Sequence, residues 1–249
     1  EKFVSEDFEI LLKDIQLEWI LIHFVVKNGL SLSIFVDYLK SIKVNTQKIK
    51  GSWRSDEIAL EKQADLPHFK LLSIDGTIYC EGTAHTIEEL TQILLATNAQ
   101  LKVIEANQVK SLQISIAIGE SYFINMAKIR ALKILWHNLM TAYELDAPLH
   151  LEAHLSIHSL TEDQHQNMIQ MSTQALAAVI AGVNRLFLTP DKDSNTAFTK
   201  RIARNVQHLL QLESHLDHVI DPAAGSYYIE NLTNDIVERV WGKFTALAS

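Results

Sequence analysis

One cysteine, four prolines and eight glycines in 249 residues make this a chain defined first by what it lacks. A single thiol, Cys80, excludes an internal disulfide framework and a cysteine-based structural zinc site, and leaves packing as its expected role. With so little proline, no Pro-rich linker divides the chain. No apolar run approaches the roughly 18 residues of a membrane span. The opening residues Glu1 to Ser5 do not have the charged-then-apolar pattern of a signal peptide, so a cytoplasmic protein without membrane contact is expected. Positive charge is also short: 22 Lys and Arg face 30 Asp and Glu, for a net charge of −8. A nucleic-acid surface needs a basic stripe, and none is visible along the sequence. The glycine patterns of dinucleotide sites and P-loops are absent, as is the Gly-x-Ser-x-Gly elbow of hydrolases.

What is present is core-forming material. A hydrophobic content of 47% over this length suits one large domain or most of an α/β barrel. Phe8, Leu11, Leu12, Ile15, Trp19, Ile22 and Val26 recur at helical spacing, with Asn28-Gly29 as a terminator. A second short helix is expected over Leu32 to Leu39. The polar, Lys-rich stretch from Ser41 to Leu66 reads as a long connection. From Phe69 onward short apolar runs alternate with long helical ones, as repeated βα units produce. Strands are expected at Leu71–Ile74, Leu101–Ile104, Leu112–Ile118, Leu149–Leu155, Arg185–Leu188 and Tyr227–Ile229. Helices are expected from Thr86 to Thr97, with Thr86-Ile87-Glu88-Glu89 as a capping box, then Ser121–Met140, Thr161–Gly182, Thr196–Ser214 and Thr233–Leu247. Trp19, Trp136 and Trp241 fall in amphipathic helices and read as core or interface residues.

Three local patterns could carry chemistry. His150, Glu152 and His154 alternate along a strand and so share one face, where two imidazoles and a carboxylate could hold a divalent metal or could hydrogen-bond to one another inside a barrel. His158 and His165 lie close by in sequence. Asp221 to Ser226 could expose backbone donors as an anion nest or form an ordinary turn. Asp163-Gln164-His165 is similar to the start of the Asp-x-His-x-x-Gly motif by which some cobalamin enzymes bind cobalt. Met168 stands at the Gly position, and a solvated helix start is the plainer reading.

A wider resemblance covers about the last 180 residues. Ser73-Ile74-Asp75-Gly76 is followed by Glu81-Gly82-Thr83-Ala84. Ile118 to Phe123 then leads through Ala127-Lys128-Ile129-Arg130-Ala131 to Leu135-Trp136. Most specific is Arg201-Ile202-Ala203-Arg204-Asn205 with Gln207, Glu213-Ser214, Asp221-Pro222 and Gly225 to Glu230, then Leu232-Thr233. In order and spacing these resemble the substrate domain of the methylmalonyl-CoA mutase family. The resemblance implies a (β/α)8 TIM barrel, complete or partial, built by βα units over residues 69–249, after an N-terminal helical segment and connection over 1–68. It implies an acyl-CoA substrate and adenosylcobalamin in the holoenzyme, with no cobalamin-binding domain expected within these residues and no cofactor bound by this chain alone. Where active mutases carry a Tyr-His pair, with the His on the thioester carbonyl, this sequence has Thr77 and Ile78. Positions that contact CoA fall on Ser111 and Gln113. A His-x-Gln pair falls on His154 and Ser156, and the Asn that holds the adenosyl ribose falls on Pro190. The expected reading is a non-catalytic small (beta) subunit partnered with a catalytic large mutase subunit. A catalytic isomerase of altered substrate, using Tyr79, His85 or His154, and a metal or small-ligand binder using His150, Glu152 and His154 are the alternatives.

Overall fold

A computed structural model describes residues 5–26, 31–55, 60–82, 85–188, 196–216 and 218–248. The chain forms two compact units, one of residues 1–73 and 105–113, the other of residues 74–104 and 114–249.

The first unit contains α1 (Ser5–Leu11), β1 (Leu21–Val25), α2 (Leu32–Ser41), β2 (Lys50–Arg54) and β3 (Phe69–Lys70). Its strands form a parallel sheet in the order β1-β2-β3. The single helix expected over Phe8 to Val26 is replaced by a helix and a strand. Helix α1 stops at Leu11, Asp14 takes a positive φ of 61°, and Leu21 to Val25 extend along β2. The 3.6-residue spacing was coincidental, since Leu11, Ile15 and Trp19 are exposed, Trp19 at 84%. The proposed terminator, Asn28-Gly29, lies outside the described residues. Helix α2 forms as expected, with Ser31 accepting from the Ser33 amide at its N-terminus.

The connection read over Ser41 to Leu66 holds β2. That strand hides because its core-facing positions are Gly51 and Trp53 while Lys50, Ser52 and Arg54 face the other way. Gly51 is obligatory: a Cβ there would sit 1.7 Å from the Ile22 carbonyl oxygen. Above this face, Phe8, Phe24, Phe35, Tyr38, Trp53 and Phe69 interlock with ring centroids 5.0 to 6.2 Å apart. Edge-to-face and offset contacts of this kind add to the area each ring buries.

The remaining elements are β4 (Leu72–Asp75), α3 (Thr86–Leu101), β5 (Leu112–Ile118), α4 (Tyr122–Ala142), β6 (Leu151–Leu155), α5 (Gln164–Ile180), β7 (Arg185–Phe187), α6 (Ala197–His208) and α7 (Tyr227–Ala248). A four-stranded sheet runs in the order β4-β5-β6-β7, with β5, β6 and β7 in parallel register. The fold class is α/β, with strands and helices alternating along the chain. Strand β5 is buried over its whole length, the polar Gln113 and Ser115 as well as Leu112, Ile114, Ile116 and Ile118.

Three expectations are corrected here. The capping box does not form: His85 is the N-cap of α3 without a side-chain bond, and Glu89 turns inward to Lys128. Leu101 to Ile104 is no strand, because Leu101 closes α3 and Val103 is 78% exposed. Tyr227 to Ile229 belong to α7, whose buried Ile229, Thr233, Ile236, Val240 and Phe244 keep helical spacing from the first turn. Trp136 is buried, and its indole Nε1 donates to the Ala147 carbonyl at 2.8 Å. No helix among the described residues is long and apolar enough to cross a membrane.

Candidate functional site

The C-terminal ends of parallel strands are where α/β proteins place their chemistry. After β4 the chain turns tightly through Gly76 to Tyr79. Asp75 caps the turn, accepting from the Thr77 amide at 3.1 Å and the Thr77 hydroxyl at 2.6 Å. Gly76 is needed there, since a Cβ would lie 2.5 Å from both the Ser115 carbonyl oxygen and Ile93 Cδ1. The Thr77 hydroxyl is thus engaged locally, and Ile78 stands 69% exposed. Cys80 is buried, its Sγ 3.8 Å from Ser156 Oγ.

Beyond β5 and β6 a polar network fixes the loops. Asn125 bonds both the amide and the carbonyl of Gly119, at 3.0 and 2.7 Å. Gln174 Nε2 donates to the same carbonyl and to Ser159 Oγ, while Ser159 donates to the Ser156 carbonyl. Asp163 caps α5 by accepting from the amides of His165 and Gln166. His165 therefore lies in the first turn of a solvated helix. The loops at 76–82, 119–121 and 156–163 carry exposed Glu81, Glu120, Glu162 and Asp163 and contain no Lys or Arg. Ile78 and Ile157, in the first and third of these loops, are exposed.

His150, just before β6, and Glu152 and His154 on it are drawn together, and the residue that joins them is Arg185, the first residue of β7. Glu152 and Arg185 are partners in the strand register. Glu152 accepts from Arg185 Nη1 through one oxygen and from His154 Nε2 through the other. Arg185 Nη2 approaches His150 Nε2 at 3.2 Å. Because a guanidinium only donates, His150 must offer a lone pair at Nε2 and carry its proton on Nδ1. His154 is further packed on Phe187, with ring centroids 5.1 Å apart. Burial pulls the Arg185 guanidinium below its ordinary value, and Glu152 opposes that pull. Among the described residues no group of three or more His, Cys, Asp or Glu is arranged to hold a metal ion. Arg185 was missed in sequence because its partner lies 33 residues away.

Elsewhere, Ser111 is buried against Gln63, bonding its Oε1. Gln113 is fully buried, and among the described residues neither of its amide atoms has a hydrogen-bond partner. Pro190 lies outside the described residues. The Asp221 to Ser226 turn is closed from within: the Gly225 amide donates to Glu230 at 3.0 Å, and Arg130 bridges Asp221 and Glu230. The Gly225 amide first, then Arg130, holds the Glu230 carboxyl below the usual carboxylate range. A second buried pair joins α3 to α4, with Lys128 Nζ 2.9 Å from Glu89 and 2.6 Å from the Ala117 carbonyl. Burial raises the Glu89 carboxyl despite that partner. Two cavities, of about 550 and 460 Å³, open beside Lys133, Gly182 and Asn184, at the starts of the strands and away from these loops.

The order of motifs along these elements has a counterpart among known proteins. The family model described as methylmalonyl-CoA mutase matches residues 57–249. The chain belongs to the methylmalonyl-CoA mutase family. It is 31% identical, over 95% of its own length, to a methylmalonyl-CoA mutase small subunit of Porphyromonas gingivalis, of which it covers 44%. It is 31% identical to a methylmalonyl-CoA mutase of Rhizobium meliloti over 88% of this chain and 33% of that one. A methylmalonyl-CoA mutase of Escherichia coli is 34% identical over 70% of this chain and 26% of that protein. The chain thus spans less than half the length of these mutase relatives.

Proposed function

We propose that this chain is part of the non-catalytic small subunit of a heterodimeric methylmalonyl-CoA mutase, folding as a complete or partial (β/α)8 barrel whose βα units run over 69–249. Its partner is a catalytic large subunit that interconverts methylmalonyl-CoA and succinyl-CoA with adenosylcobalamin. The observation that carries this reading is the turn after β4. At the two positions where the resemblance puts Tyr and His, Thr77 gives its hydroxyl to Asp75 and Ile78 offers no hydrogen-bonding group. An acyl thioester there would meet no imidazole, and losing one such donor costs about 10² to 10³ in rate.

Electrostatics supports the same conclusion. Acyl-CoA carries phosphates, yet the loops after β4, β5 and β6 present Glu81, Glu120, Glu162 and Asp163 without a compensating cation. These residues do not fit the substrate, and no step of the radical isomerisation is assigned to them. When bound in the holoenzyme, adenosylcobalamin supplies the radical chemistry. This chain supplies surface and support.

Coexpression with a large subunit tests the reading by size-exclusion chromatography and an isomerase assay. Coelution, with activity in the complex and none in the isolated chain, is the expected outcome. Turnover of methylmalonyl-CoA by the isolated chain with added adenosylcobalamin would overturn it.

A further inference from the structure

The two cavities of the second unit, of about 550 and 460 Å³, share Lys133, Gly182 and Asn184 in their walls. Small-ligand sites typically span roughly 300 to 1,000 Å³. Of the described residues carried over from the mutase resemblance, none lines either cavity. The larger one carries Asp146 and is the poorer place for an anion.

The smaller cavity is walled by Val179, Val183, Leu186, Leu210 and Leu216, all half-buried. Apolar side chains left half-covered around a concavity lose further contact with water when an apolar ligand enters it. Two of the charged residues in the lining are already answered, Arg185 by Glu152 and Asp221 by Arg130. Lys133 differs. Its ammonium donates to the Ala181 carbonyl at 2.6 Å, and no ion pair joins it to a carboxylate among the described residues. Lys133 is partly exposed, yet burial pulls its amine below the ordinary value, with Asp221 opposing that pull. An ammonium has three donors, so two remain beyond that carbonyl.

Gly182 makes room for this group: its φ is 74°, and a Cβ there would lie 2.8 Å from Lys133 Nζ. Asn184 supplies further donors. Its Oδ1 accepts from the Leu151 amide at 2.8 Å, and its Nδ2 has no partner among the described residues. An unpaired cation beside an apolar wall is complementary to a molecule with one anionic end and an apolar body.

We propose that the smaller cavity binds an aliphatic monocarboxylate, with its chain against the Val179, Val183, Leu186, Leu210 and Leu216 side chains and its carboxylate on Lys133 and Asn184. A second charge on the ligand would face the apolar wall without a partner, which selects a single acid group. The site goes beyond the proposed subunit role and does not depend on a large subunit.

Calorimetric titration of the whole chain with butanoate, hexanoate and octanoate at fixed ionic strength tests this. Saturable one-site binding is expected, tightening about four-fold per added methylene until the cavity is filled, the equivalent of about 0.8 kcal/mol per buried methylene. 1-Hexanol keeps the chain and lacks the charge, so it should bind at least about ten-fold more weakly than hexanoate. Lys133→Met should weaken hexanoate at least about ten-fold and leave 1-hexanol within about three-fold, a split that a damaged fold would not produce. Lys133→Gln gives the same comparison if the Met variant fails to fold by circular dichroism. Binding that does not saturate, equal affinity for butanoate and octanoate, equal affinity for hexanoate and 1-hexanol, or an unchanged hexanoate Kd in a folded Lys133 variant would each overturn the proposal.

Discussion

Two polar sheet faces in this chain hold similar groups in opposite states of balance. Across β6 and β7, Arg185 is answered by Glu152, and Glu152 by His154, so the charges close on themselves. Across β1, β2 and β3, the half-buried Lys70 donates to the Lys110 carbonyl and meets no carboxylate on these strands. A closed network is set by its own geometry and resists change. A cation held by a single carbonyl has less to lose, and that difference is measurable as the cost of removing one member.

The largest effect is expected on the closed side. Glu152→Gln leaves a largely buried guanidinium without its counter-charge and should cost about 3 to 5 kcal/mol in urea unfolding, the scale for breaking a buried pair. Lys128→Met should cost about 3 kcal/mol at neutral pH by the same mechanism, since Glu89 then stands alone. The pH dependence of that variant is specific. Burial already raises the Glu89 carboxyl in the folded state, and losing Lys128 raises it further. The folded form then binds a proton that the unfolded form releases, so stability is greatest at acid pH. It falls as pH rises through and above the ordinary carboxylate range. Urea midpoints at pH 5 and pH 7 would show this, and equal losses at both would count against it.

Gly51→Ala comes next. Its Cβ would collide with backbone rather than with a movable side chain, so β1 and β2 must part, at a cost of about 2 to 3 kcal/mol by thermal melting. On the first sheet, Lys70→Met should shift stability by less than about 0.5 kcal/mol. It removes one hydrogen bond to Lys110 together with an uncompensated charge, and the two effects oppose each other. If Glu152→Gln and Lys70→Met cost the same, the contrast between the two faces fails.

Much of the second unit could be read from sequence because its signals are local. Helices α4, α5 and α6 keep 3.6-residue periodicity over three or more turns, and β5 alternates Leu112, Ile114 and Ile116 with Gln113 and Ser115. The first unit was harder for identifiable reasons. Leu21 to Val25 fell by chance on a helical register, and β2 presents a glycine and a tryptophan to the core between polar residues. The candidate site was legible only where a residue and its partner are near in sequence, as with Asp75 and Thr77. Arg185 joins Glu152 across 33 residues, and Lys70 joins Ser52 only through strand register. Scattered at positions 50, 54 and 70, the cations make no stripe along the chain, although the sheet gathers them on one face.

The clasp made by Arg130 also bears on how the chain comes apart. One guanidinium on α4 holds Asp221, where the turn begins, and Glu230, one helical turn inside α7. Both carboxylates are partly exposed, so dissolved ions compete for them. The first turn of α7 should therefore exchange its amide hydrogens faster as salt is added, while the amides of β5, sealed from solvent, keep their rate. Ionic strength would loosen one end of this helix before it is felt anywhere in the sheet.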